Sequence, residues 1–403
     1  MRVVIEKSLA RGRVSAPPSK SMAHRLLIAA AYADGKSLVR GISSCEDVLA
    51  TIDCLRALGA KIEYDGDSAR VRGFNFKNSA PSVPLPCRES GSTLRFLIPT
   101  ALLSGNECIF SGAKRLIERP HGVYEDLCRE RGFVFFSDGE KITVRGRLSA
   151  GEYYMRADVS SQFITGMLYA LAALDGCSVI HLTTAVESRS YIDLTISALN
   201  TFGVKCGFAD EKTLYVEGGG YEPREACVEG DYSGTAFIES FNLFGGEVSV
   251  SGLSDVSLQG DRVYREYFKK LDSGFATLDI ENCPDLGPIL FTVAAAKHGA
   301  RFTGTKRLKI KESDRAAVMA EELAEFGARL ELSDNEVTVH KTELHPPTEP
   351  LSGHNDHRVV MSLAVLSSIY GGEILGYEAI KKSYPDFLRD IASLGIKVKI
   401  YET

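Results

Sequence analysis

No apolar stretch in this 403-residue chain exceeds eight residues; FLIPTALL (96–103) and ILFTVAAA (289–296) are examples of that length. A membrane-spanning helix needs about 20, so none is expected. The opening MRVVIEKSLARG has no apolar core of secretory-signal length. There is no excess of positive charge either. The formal net charge is −6, so no global basic field draws the chain to nucleic acid or an acidic membrane. Nine cysteines are spread at intervals of 9 to 56 residues with no CxxC pair, and the eight histidines show neither HxxxH nor HExxH spacing. The expectation is a cytoplasmic protein with reduced thiols and no bound metal. No GxxxxGK[ST] loop and no strand–GxGxxG–helix fingerprint occurs, which leaves ATP and dinucleotide cofactors without support. With 44% apolar and 25% charged residues, the composition is that of a globular protein, not a disordered or collagen-like one.

What is present is a concealed repeat. An apolar helical end, a glycine and a run of alternating strand residues recur at Gly59, Gly132, Gly203, Gly274, Gly327 and Gly395, at intervals of 73, 71, 71, 53 and 68. About 40 residues before each of these glycines, a small polar cluster opens an apolar helix. The six clusters are SKSMAHRLLIAA, ESGSTLRFLIPTALL, SSQFITGMLYALAAL, DYSGTAFIESFNLF, PDLGPILFTVAAA and NDHRVVMSLAVL. Each of these helices is followed by a further glycine, as helix C-termini commonly are. Asp65-Gly66, Asp138-Gly139, Asp210-Glu211 and Asp334-Asn335 supply turns for hairpins. One repeat therefore reads as strand, helix, strand, helix and a hairpin. The fourth is short and lacks part of its hairpin. MRVVIE is expected to supply the strand preceding a first helix in the later half of the chain. The fold class is α/β, with two similar domains of three repeats each. One is discontinuous (1–18 and 231–403) and the other is inserted (19–230), with crossings near Pro17-Pro18 and Gly230.

The helix starts carry the chemistry. Serine, asparagine and aspartate there are ordinary N-caps, a reading open to Asp285 as well. A cation in a first turn opposes the helix dipole and gains nothing locally. It makes sense when an anion sits over the helix end. Lys20, Arg25 and Arg358 lie in or near such turns. Basic segments also precede the second helix of several repeats, and equivalent places in a repeat fold share a surface. Lys20, Arg25, Arg119, Lys309, Lys311, Arg315, Arg358 and Lys382 together predict an anion-binding cleft. Its ligands carry phosphates or carboxylates, groups that arginine captures with two prongs. Asp285 and Glu312 stand among these cations as candidate general acid–base groups.

Eleven segments, taken in order, resemble the 5-enolpyruvylshikimate-3-phosphate synthases, members of the enolpyruvyl transferases. They are PPSKSMAHR (17–25), ESGSTLRFL (89–97), ERPHG (118–122), SSQF (160–163), SRSYID (188–193), VEGDYS (228–233), LQGD (258–261), PDLG (284–287), KESDR (311–315), NDHR (355–358) and KSYPDF (382–387). The resemblance implies two domains of three βαβαββ units each, an inside-out barrel arrangement, with the active site in the interdomain cleft. It implies transfer of the enolpyruvyl group of phosphoenolpyruvate to the 5-hydroxyl of 3-phosphoshikimate, through a tetrahedral intermediate and without cofactor or metal. It also implies a monomer, with these two small molecules as its partners. By the same resemblance, Lys20, Ser21, Arg25, Ser160, Ser161, Gln162, Ser188, Asp285 and Lys311 hold 3-phosphoshikimate. Lys20, Gly91, Arg119, Gln162, Arg315, Arg358 and Lys382 hold phosphoenolpyruvate. Asp285, Glu312 and Lys20 are the catalytic set.

Three positions depart from that pattern. Glu89 and Arg307 stand where the family often has asparagine, and Arg88 adds a charge that Glu89 is expected to neutralise. The related UDP-N-acetylglucosamine enolpyruvyl transferases use a loop cysteine, and the matching segment KRLIERPHG (114–122) has none.

Overall fold

Each repeat turns an apolar first helix into the centre of a layer and covers it with a small sheet. A computed structural model describes residues 1–401. The first helices, Lys20–Tyr32, Gly91–Ala101, Ser161–Ala172, Gly287–Ala296 and His357–Tyr370, are buried along almost their whole length. The second helices are amphipathic: in Tyr264–Ser273 only Tyr264, Phe268 and Leu271 are buried, the three- and four-residue spacing of one helical face. Strands alternate buried and exposed residues, as in Lys141–Arg145, so each sheet gives one face to the helices and the other to solvent.

The sheets repeat one topology. In the second repeat, strand Leu85–Pro86 runs parallel to Cys108–Ser111. That strand pairs antiparallel with Lys141–Arg145, which in turn pairs with Val134–Ser137. The same order recurs in the sheets built on Lys36–Arg40, Cys177–Leu182, Ala300–Thr303 and Gly372–Leu375. Hairpin turns form at these aspartates: the Asp65 and Asp138 side chains each accept two backbone N–H bonds, and Asp210 accepts one from Lys212.

The chain divides into two compact units, Pro18–Glu229 and Met1–Pro17 with the chain from Gly230 on. Each has its own apolar core. Within Pro18–Glu229 the helix Gly91–Ala101 packs against Ser161–Ala172, and Gly166 permits the approach. A Cβ there would lie 2.4 Å from both the Arg95 carbonyl and the Tyr124 hydroxyl. The sheet of its first repeat is closed by a strand from the far end of the unit: Glu225–Cys227 pairs parallel with Lys36–Arg40.

The second unit corrects two sequence expectations. MRVVIE does not precede a first helix. Its strand, Arg2–Glu6, lies between Gly372–Leu375 and Lys397–Tyr401, antiparallel to both, in the hairpin position of the last repeat. The strand that opens the fourth repeat is Arg11–Ser15, parallel to Glu247–Ser251. That repeat lacks its hairpin altogether. The strand after Gly274, Ala276–Asp279, instead begins the fifth repeat by pairing parallel with Ala300–Thr303, which accounts for the short interval of 53 residues. None of the helices among the described residues is long and apolar enough to cross a membrane.

Candidate active site

In Pro18–Glu229 the candidate residues gather at helix starts. Ser19 caps Lys20–Tyr32, and Ser90 and Ser160 cap the next two first helices. Lys20 is the first residue of its helix, where the dipole disfavours it. Its ammonium is held 2.8 Å from the Asp47 carboxylate on the neighbouring helix Glu46–Leu58. Arg25, only 2% exposed, is fixed by neutral acceptors: the Ser21 carbonyl at 2.7 Å, the Tyr191 carbonyl at 2.9 Å and the Thr195 hydroxyl at 2.9 Å. Burial lowers its pKa, with Tyr169 and Tyr191 working the other way, yet a guanidinium stays charged. A buried cation whose partners are carbonyls and a hydroxyl is suited to receive an anion.

A second group forms around Gly91. A Cβ at that position would lie 2.8 Å from Arg119 Nη1 and 3.7 Å from Gln162 Oε1, so glycine keeps the helix start open beside a buried guanidinium. Gln162 is oriented on both ends of its amide: Arg95 Nη1 donates to its carbonyl at 2.7 Å, and its NH₂ donates to Ser92 at 3.0 Å. Ser161 is buried beside it. Ser188 sits at φ 54° where the helix Arg189–Thr201 begins, a backbone setting that sequence did not reveal. The structure thus joins Ser21 with Arg25, and Gly91 with Arg119 and Gln162. Ser160 touches the second group through its cap to the Gln162 N–H.

In the other unit a tighter cluster is built on Asp285. Its residue lies in the single turn Pro284–Leu286, and the following helix Gly287–Ala296 has no side-chain cap. Asp285 is therefore not an N-cap. Its carboxylate receives three cations instead: Lys311 at 3.1 Å, Arg315 at 2.8 Å and Arg358 at 3.1 Å. Arg315, 1% exposed, also donates to Glu312 at 2.7 Å and to Asp356 at 2.9 Å. Burial holds the Lys311 ammonium below its ordinary range against the pull of Asp285. For Arg358 burial acts downward too, but Asp285 and Asp261 outweigh it and the pKa is raised. Asp356 caps His357–Tyr370 through the Arg358 N–H and accepts a bond from Ser313. Burial would raise its pKa, but Arg315 holds it below the usual range. Lys382 is buried and donates to the Asn355 carbonyl.

A model of the EPSP synthase (3-phosphoshikimate 1-carboxyvinyltransferase) family matches residues 5–391. The chain is 36% identical over 421 residues to the 3-phosphoshikimate 1-carboxyvinyltransferase of Clostridium kluyveri, spanning 98% of this chain and 97% of that one. It is 37% identical over 414 residues to the enzyme of the same name from Clostridium beijerinckii, with 95% of each chain covered. The chain belongs to the EPSP synthase family. Among solved structures, EPSP synthase from Acinetobacter baumannii superposes over 100% of both chains with a TM-score of 0.78 at 21% identity. The enolpyruvyl transferase NikO from Streptomyces tendae follows at 0.76 and 14%, covering 99% of this chain and 98% of its own. Both carry the same two-domain fold.

Against the EPSP synthase pattern, the divergent residues resolve differently from expectation. Arg88 does not neutralise Glu89; it turns to Asp53 at 2.8 Å, from a backbone at φ 53°. Arg307 is buried and donates to the Glu281 carbonyl. Lys309 leaves the cation set: it pairs with Asp334 at 3.0 Å on the surface, both side chains well exposed. Asp47, Arg95 and Asp356 were missed. Each orients a candidate residue across a gap in sequence; Arg95 and Asp356 lie within the ESGSTLRFL and NDHR segments, and Asp47 lies outside all eleven.

Proposed function

We propose that the chain transfers the enolpyruvyl group of phosphoenolpyruvate to the 5-hydroxyl of 3-phosphoshikimate and releases inorganic phosphate, a step of aromatic amino acid biosynthesis by the shikimate route. The carrying observation is the Asp285 cluster. One carboxylate is ringed by Lys311, Arg315 and Arg358 with Glu312 on the same arginine, in a chain whose family performs this reaction. We assign Lys20, Ser21, Arg25, Ser160, Ser161, Gln162, Ser188, Asp285 and Lys311 to 3-phosphoshikimate. Lys20, Gly91, Arg119, Gln162, Arg315, Arg358 and Lys382 are assigned to phosphoenolpyruvate.

Phosphoenolpyruvate is a poor electrophile until its methylene carbon is protonated. Glu312, aided by Lys20, delivers that proton. The 5-hydroxyl oxygen then bonds to the cationic carbon as its proton passes to Asp285. The tetrahedral adduct then expels phosphate, which takes up the proton held by Asp285, and returns a methyl proton to the Glu312 carboxylate, restoring the double bond. The cations orient two polyanions that would otherwise repel. In this reading Asp285 occupies the arginines until the carboxylate of phosphoenolpyruvate takes them over, which leaves Asp285 to accept a proton. We further place the enzyme in the cytoplasm as a monomer, a compartment that suits nine free thiols. The purified chain, given both substrates, should release phosphate in proportion to enzyme, and product mass should equal the sum of the substrates less phosphoric acid. No phosphate release with active controls would reject the assignment.

A further inference from the structure

Two adjacent non-glycine residues lie in the left-handed region in the loop between strand Leu351–Ser352 and helix His357–Tyr370: His354 at φ 47° and Asn355 at φ 52°. Such backbone persists only where its surroundings hold it, and it concentrates at functional sites. The loop's output is clear. The Asn355 carbonyl takes the Lys382 ammonium, and the Asp356 carboxylate takes Arg315 and the Arg358 N–H. Two cations assigned to phosphoenolpyruvate, Lys382 and Arg315, are thus held by two consecutive loop residues, and Asp356 also caps the helix that carries Arg358.

The loop is held from one helix, Arg315–Ala324. Arg315 grips its end at Asp356. Seven residues on, two turns along the same face, Glu322 grips its beginning. Glu322 Oε2 accepts the Ser352 N–H at 2.8 Å, and Oε1 lies 2.6 Å from His354 Nε2. Glu322 is 5% exposed, and the chemistry above makes no use of it. A carboxylate is costly to bury unless its oxygens are satisfied, and here both oxygens are engaged by the strained loop.

Resting on the function proposed above, we propose that Glu322, acting through His354, is a positioning residue for phosphoenolpyruvate, fixing the 352–356 loop so that Lys382 and Arg315 stand ready before the ligand binds. The test uses the 403-residue enzyme and the variants Glu322→Ala, Glu322→Gln, His354→Ala and the double variant Glu322→Ala/His354→Ala. Kinetics in both substrates, melting temperature and calorimetry with inorganic phosphate are measured. Glu322→Ala should raise the KM for phosphoenolpyruvate about five- to tenfold while KM for 3-phosphoshikimate stays within about twofold. Glu322→Gln, whose amide can accept from Ser352 and donate to the ring, should recover most of that loss. His354→Ala should be intermediate, and the double variant less impaired than the product of the singles. Phosphoenolpyruvate KM values within twofold of wild type in both alanine variants, even with a lowered melting temperature, would reduce the tie to a structural one and overturn the proposal. If Glu322→Ala does not fold, His354→Ala decides alone on the same criterion. Failure of wild type to turn over would sink the enolpyruvyl-transfer reading instead. Phosphate affinity would then still decide: a several-fold loss in the variants supports the strap, and equal affinity overturns it.

Discussion

Asp285 combines two demands that a single substitution separates. As a base it must take a proton; as a counter-ion it is paired with three cations. Asp285→Asn keeps the shape and an acceptor oxygen but removes the charge. Turnover should fall by about 100-fold or more, while affinity for phosphoenolpyruvate is kept or tightened because the competing carboxylate is gone. Near-normal turnover in that variant would refute the assignment. Arg358→Lys keeps charge and loses the two-pronged fit. It should raise the phosphoenolpyruvate KM by about tenfold and spare 3-phosphoshikimate, as steady-state kinetics would show. Two histidines of Pro18–Glu229 give a pH signature. Burial, then Lys20 and Arg25, pushes His24 well below its ordinary value, and burial with Arg95 brings His121 down to about 4. The unfolded chain takes up these protons near pH 6.5 and the folded one does not, so stability is full above that pH and lost as pH falls toward 4. His24→Gln and His121→Gln should each flatten the decline of melting temperature between pH 6.5 and 4.5; slopes equal to wild type would count against it. At this scale the sequence showed charge types and helix-start positions plainly. It could not show that Lys20 answers to Asp47, Arg88 to Asp53 or Lys309 to Asp334, because those partners are set by neighbouring helices and turns 25 to 35 residues away.

Elements were legible wherever the backbone itself constrains residue choice. Gly132 caps its helix in the left-handed conformation at φ 69°, and Gly203, Gly327 and Gly395 follow theirs at φ 86°, 87° and 94°. At these four of the six positions a recurring glycine is a recurring geometry; Gly59 at φ 125° and Gly274 at φ 160° end their helices in other conformations. Glycines inside helices are a different matter, since only the neighbour reveals their need. Gly166→Ala would push a methyl carbon to 2.4 Å from the Arg95 carbonyl and the Tyr124 hydroxyl. Overpacking of this kind costs about 1–3 kcal/mol, which should lower the melting temperature by roughly 2–10 °C for a unit of this size. Gly122→Ala, with nothing within 4 Å of the added carbon, is the control and should be close to neutral. Calorimetric scans of both variants decide it: equal midpoints would mean that the two helices can part without cost.

For the whole molecule, two cores and two crossings follow from the connectivity. Residues 18–229 form an uninterrupted stretch with their own apolar cluster and all three of their sheets complete. Expressed alone, this segment should fold cooperatively and melt in one transition; a chain without a cooperative transition would show that the unit depends on the rest. Deleting residues 1–6 removes the strand between Gly372–Leu375 and Lys397–Tyr401 and should unfold the other unit while leaving 18–229 intact, as two-domain calorimetry can read. The sixfold pattern was visible from spacing alone. The assignment of N-terminal strands was not, because RVVIE and RGRVS are both short alternating runs, and only the partner available across each sheet distinguishes them.

The closing strands also impose a schedule on biosynthesis. Residues 18–229 can be completed as soon as Glu225–Cys227 has left the ribosome and reached Lys36–Arg40. Arg2–Glu6 must wait for Lys397–Tyr401, about 390 residues further along the chain. At about 5–20 residues per second this is a delay of roughly 20–80 s. During that interval the nascent chain carries a strand with unpaired edges, a hazard for association with other chains. Its sequence is suited to the wait: Arg2, Glu6, Lys7, Arg11 and Arg13 punctuate the first 13 residues with charge.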